Sequence, residues 1–144
     1  MMPLLQEDRI AIQDVLARYC FLLDDRDWAA FAGLFHPDAT VDFSAFGGPT
    51  GDVATLVTFL QQVAASVPAW QHTTSTQLLE ACDDGVRART AAQVMMINRL
   101  ADGSDQVSFI GLWYRDLLVR TEQGWRIREC VQQYAWTHNM PRSN

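Results

Sequence analysis

Hydrophobic positions change their spacing near the middle of this chain. Before Pro68 they recur with a helical period, and after it they alternate. Ile10, Ile12, Val15, Leu16, Tyr19, Cys20 and Leu23 fall mostly on one broad face, which predicts an amphipathic helix over residues 6–23. Asp27 reads as the N-cap of a short second helix reaching Leu34. That helix should stop at His36-Pro37-Asp38, because proline drives the residue before it toward extended geometry. Residues 39–43 alternate and read as a short strand, and Phe46-Gly47-Gly48-Pro49-Thr50-Gly51 reads as a loop. Asp52 can cap a third helix bearing Val53, Leu56, Val57, Leu60 and Val63, ending near Pro68.

Four extended segments follow, over residues 70–81, 86–100, 106–121 and 125–136. The connections Asp83-Asp84-Gly85, Asp102-Gly103-Ser104-Asp105 and Glu122-Gln123-Gly124 are short, so neighbouring strands should be antiparallel. Helices first and long strands afterwards predict an α+β fold. Strands of this length must twist and curl, so three N-terminal helices should pack on a strongly curved, mostly antiparallel sheet and close it into a cone-shaped α+β barrel around an apolar pocket. Along the third long segment Phe109, Gly111, Trp113 and Leu117 share one face, while Ile110, Leu112, Tyr114 and Leu118 share the other. Both faces are largely apolar, and alternation does not decide which one lines the pocket. Trp113, Phe43 and Phe109 are the candidate substrate-binding residues. With no repeat, low-complexity tract or linker, residues 1–144 read as one domain.

Composition narrows the function. A net charge of −6 argues against nucleic acid and anionic membrane surfaces as partners. All eleven basic residues are arginine, so neither a Schiff-base lysine nor a phosphate-binding Walker lysine is available. Cys20, Cys82 and Cys130 are few, odd in number and widely spaced, which suggests neither disulfides nor a metal cluster and points to a reducing cytoplasm. The opening Met1-Met2-Pro3-Leu4-Leu5-Gln6-Glu7-Asp8 lacks the features of a signal peptide, and no apolar run reaches membrane-spanning length. No cofactor or metal is expected.

Two residues stand out as chemistry. Asp24 falls at the end of the first predicted helix, and His72 opens the first long strand. An aspartate that orients an imidazole makes a general base without a metal. Asp24 could equally be a solvated turn residue beside Asp25 and Asp27, although a helix C-terminus is electrostatically poor for an anion unless a cation or imidazolium compensates. His72 could equally be satisfied by a backbone carbonyl. His36 and His138 read as surface residues. Tyr19, five residues before Asp24, reads either as a core aromatic or as a hydroxyl donor to a substrate oxygen.

The stretch Ile12-Gln13-Asp14, Tyr19, Leu23-Asp24, Asp27-Trp28, Leu34-Phe35 and Pro37-Asp38-Ala39 resembles the opening of SnoaL-like proteins. These belong to the nuclear-transport-factor-two-like superfamily. Tyr114-Arg115-Asp116, Arg120 and Gly124-Trp125-Arg126-Ile127 resemble its closing hairpin, so the likeness spans residues 6–136. The resemblance implies a cone of sheet and helices, commonly in a homodimer. Relatives include polyketide cyclases, scytalone dehydratase, steroid isomerases, a bile-acid dehydratase and a hexachlorocyclohexane dehydrochlorinase. By this likeness Asp24 and His72 fall on the lyases' Asp–His pair, and Tyr19 on a tyrosine of the bile-acid dehydratase. The dehydrochlorinase has basic residues where this chain carries Tyr19 and Gln133, so chloride elimination is not expected.

The leading expectation is a cofactor-independent lyase or isomerase, dehydratase-like, acting on a small apolar and polycyclic-sized molecule. His72, Asp24 and Tyr19 are its catalytic candidates. Two other expectations stand beside it: a non-catalytic small-molecule-binding protein of the same shape, and an accessory subunit resembling the small subunits of ring-hydroxylating dioxygenases.

Overall fold

The computed structural model describes residues 3–142, so Met1 and Met2 of the opening segment lie outside it. Helix α1 (Gln6–Asp24) turns its Ile12, Leu16, Tyr19 and Leu23 inward, while Glu7 and Asp8 sit in its first turn, where the helix dipole favours anions. Helix α2 (Trp28–Ala32) is capped by Asp27, whose carboxylate accepts from the Ala30 N–H at 3.2 Å. Helix α3 (Val53–Ala65) is capped in the same way by Asp52, which accepts from the Thr55 N–H at 2.8 Å. Both caps agree with the sequence pattern.

Four long strands follow: β3 (Ala69–Cys82), β4 (Gly85–Arg99), β5 (Asp105–Thr121) and β6 (Gly124–His138). They form an antiparallel meander, with β4 and β5 in unbroken register from Val86–Leu118 to Arg99–Asp105. Two short strands, β1 (Phe35–Asp42) and β2 (Thr50–Gly51), extend it to six in the order β2-β1-β6-β5-β4-β3. β1 lies parallel to β6, the one parallel pairing among the described residues. The register shifts at Thr74–Gln77, Gly111–Leu112 and Leu117–Leu118 are irregularities that add twist and help curl the sheet around the helices. This is the expected α+β cone.

The first strand departs from the sequence reading. β1 starts at Phe35, not Ala39, and α2 stops at Ala32. Phe35 is the reason: it pairs with Ile127, and Leu34 O accepts from the Ile127 N–H at 2.9 Å. His36 and Pro37 then ride in a register shift between Phe35 and Thr40, where a residue without an N–H is tolerated. A 3₁₀ turn, Ser44–Phe46, leads into the predicted loop, and the last two residues of that loop, Thr50 and Gly51, form β2.

The core lies between the helices and the concave side of the sheet. Ile12, Leu23, Phe31, Leu56, Leu118 and Ile127 are wholly buried there. The convex side keeps Met95, Val107 and Trp136 partly exposed. Gly111 is required on that side, because a Cβ at this position would stand 2.1 Å from the Trp136 indole.

Candidate active site

The end of α1 and the start of β3 meet at Asp24. One Asp24 oxygen accepts from the His72 backbone N–H at 2.9 Å, and the same oxygen lies 2.7 Å from His72 Nδ1. The second oxygen is 3.2 Å from the same backbone nitrogen. One residue thus supplies both its main chain and its ring to a carboxylate that the helix C-terminus would otherwise disfavour. The side chains are nearly enclosed, His72 at 10% and Asp24 at 19% exposure, so the contact is weakly screened. With an anionic acceptor at Nδ1, that nitrogen donates its proton and Nε2 is left as the basic nitrogen.

Trp70 and Arg26 hold this corner together. The Trp70 indole N–H donates to Leu23 O at 2.8 Å, a carbonyl at the end of α1 that also accepts from the Arg26 N–H at 3.0 Å. Its ring meets the His72 ring edge-on at 5.7 Å. Arg26 occupies the left-handed region at φ 58°. Its guanidinium donates to Ala64 O at 2.9 Å and to Val67 O, and lies 4.9 Å from the Trp70 ring centre. The α1–α2 turn, the end of α3 and the start of β3 are therefore bound as a unit. Cys20 lies close behind; burial first, and Asp24 second, push its thiol up to about 11, so it stays protonated at neutral pH.

His72 opens into a cavity of about 300 Å³. Phe43, Phe59, Leu60, Val94, Ile110 and Leu112 supply much of its apolar wall. Asn98 and Gln132 add polar groups. The Asn98 amide donates to Gln106 O at 3.0 Å and Ser108 Oγ at 2.7 Å, which leaves its carbonyl oxygen as an acceptor. A mostly apolar hollow with a few converging polar groups suits a small organic molecule.

The placements of the sequence candidates divide. Asp24 and His72 meet, and Phe43 lines the cavity. Trp113 and Phe109 do not line it, which corrects their reading as substrate-binding residues. They lie on the convex face, where Arg89 stacks over Trp113 at 5.4 Å and Phe109 sits 6.4 Å from the His138 ring. Their neighbours Ile110 and Leu112 point the other way and form the wall. Gln133 is likewise on the convex side, accepting from Arg115 Nε at 2.7 Å, while Gln132 lines the cavity. A shift of one residue reverses the face of a strand side chain. Tyr19 is packed among Phe31, Phe35 and Tyr114 and lines a separate small void, not the His72 cavity. Asn98 and Gln132 were missed; the inward alternation of β4 leads from Val94 to Asn98, but in β6 it leads to Gln132 only from Cys130, because the strand is irregular between Ile127 and Glu129.

Among the described residues no three His, Cys, Asp or Glu side chains gather as metal ligands. No helix there is long and apolar enough to cross a membrane.

The SnoaL-like domain model matches residues 6–131. An uncharacterized protein of Mycobacterium tuberculosis is 34% identical over 125 residues, covering 87% of this chain and 84% of its own. A candidate scytalone dehydratase of Novosphingobium aromaticivorans superposes with a TM-score of 0.81 at 15% identity, covering 96% of this chain and 94% of its own. A type 2 hexachlorocyclohexane dehydrochlorinase superposes at 0.79 and 18% identity, covering 94% and 90%. At these identities the two structures speak for the fold.

Proposed function

Since this chain belongs to the SnoaL-like family, we propose that it is a cofactor-independent lyase or isomerase of a small, mostly apolar molecule, with His72 and Asp24 as its general-base pair. The observation that carries this reading is the 2.7 Å contact of Asp24 with His72 Nδ1 beside an apolar cavity that His72 helps to line.

Nε2 of His72 takes a proton from a carbon next to a carbonyl; the imidazolium then returns it, to another carbon of the enolate in an isomerisation, or to the β-oxygen as its C–O bond breaks and water leaves in an elimination. Asp24 holds the ring in the tautomer that keeps Nε2 basic, and stabilises the imidazolium as it forms. The apolar walls exclude water and strengthen these contacts. Asn98 and Gln132 orient the polar end of the substrate. No step is assigned to Tyr19, because it lies outside the cavity wall.

The test is proton exchange in deuterated water. Cyclic ketones and β-hydroxy ketones of a size suited to the cavity are incubated with the protein, and exchange or elimination is followed by NMR. His72→Ala should lower the rate by about 10²- to 10⁴-fold, the usual worth of a general base. Unchanged turnover in that variant would reject the mechanism.

A further inference from the structure

Tyr19 from α1, Thr90 from β4 and Asp116 from β5 converge on one small void, whose remaining wall is Leu16, Thr74 and Tyr114. None of these residues belongs to the His72 cavity. The three polar residues are deeply enclosed, at 5%, 2% and 4% exposure. The Tyr19 hydroxyl, Thr90 Oγ1 and Asp116 Oδ1 each lack a hydrogen-bond partner among the described residues. Folded proteins rarely leave such atoms unpaired, and three around one void share a cause.

The size of the void identifies what fits. It offers about 10 Å³ to the centre of a water molecule, close to the least that holds one water. That space suits one water and not a substrate of many atoms. The chemistry also balances. Water has two protons to give and two lone pairs to receive with; the carboxyl oxygen accepts, and each hydroxyl does either.

We infer that this void is a binding site for one internal water molecule, held by Tyr19, Thr90 and Asp116 and joining helix α1 to strands β4 and β5. The water donates to Asp116 Oδ1 and to one hydroxyl, and accepts from the other. It gives Tyr19 a structural partner away from the His72 cavity. This site does not depend on the proposed reaction.

Thr90→Val tests the site, because valine nearly copies the shape of threonine and removes only the hydroxyl. With the water in place, the variant loses a hydrogen bond and its melting temperature falls by a few degrees. Were the Thr90 hydroxyl truly unpaired, its removal would leave the melting temperature unchanged or raise it, which would overturn the inference. A crystal structure of the unaltered protein provides the second arm and stands even if the variant does not fold. A single oxygen peak within about 2.6–3.2 Å of all three atoms is expected. An empty void, or Tyr19 bonded directly to Asp116, would overturn the site.

Discussion

Two polar clusters face the interior of the same cone, and they are built in opposite ways. At the Asp24–His72 corner the ring Nδ1 and the main-chain nitrogen of one residue converge on one carboxylate, and the surrounding turn is fastened by Trp70 and Arg26. At the Tyr19–Thr90–Asp116 void, three oxygens are buried with no protein partner. The first arrangement fixes direction: with Nδ1 on the carboxylate, Nε2 is the ring nitrogen that the proposed reaction would use. The second carries a desolvation cost, and that cost appears in Asp116, whose carboxyl is pushed up to about 7 by burial, with only the Cys130 thiol favouring its charged form. Proximity of polar groups therefore does not by itself mark a catalytic site; the proposed pair differs in that its ring borders a cavity of about 300 Å³.

The contrast breaks most sharply at Asp24. Asp24→Ala removes the acceptor for both nitrogens of His72, and turnover should fall by about 10²- to 10⁴-fold in a steady-state assay, as for loss of a general base. A variant with full turnover would put the two clusters on an equal footing. The next largest effect concerns pH and belongs to the other cluster. The folded protein holds the Asp116 proton to about 7, whereas the unfolded chain releases it near 3.8. Stability from this residue is thus complete below the lower value and is lost as pH rises between the two; above about 7 the loss is complete. Urea titrations from pH 4 to 8 should show a decline of a few kcal/mol from this source, and Asp116→Asn should flatten it. An unchanged slope in that variant would assign the decline to other groups. The smallest effect sharpens the first cluster. Trp70→Phe keeps a ring beside His72 but loses the bond to Leu23 O, and should cost about 1 kcal/mol in denaturant unfolding.

The sequence made the first cluster legible and hid the second. Asp24 and His72 stand at element boundaries, a helix end and a strand start, where local patterns are clearest. Asp27 and Asp52 announced their helices for the same reason. The wall of the cavity was harder to read. In the middle of β5, from Phe109 to Leu118, each face is apolar and each carries one charge, Arg115 beside Trp113 and Asp116 beside Tyr114. Nothing local says which charge is buried, and it is the aspartate, at 4% exposure. That choice sent Trp113 and Phe109 outward and Ile110 and Leu112 inward. The early start of β1 was hidden for a related reason: its partner Ile127 lies in the last strand, beyond the reach of any local pattern.

That long-range partnership has a consequence for how the chain is made. β6, the last strand in sequence, occupies an interior place in the sheet, between β1 and β5. On a ribosome, β1 must therefore wait until residues 124–138 have been translated before its neighbour β6 exists. Until then the apolar sides of β1 and the helices have no completed surface to rest on, and they are open to chaperones or to other nascent chains.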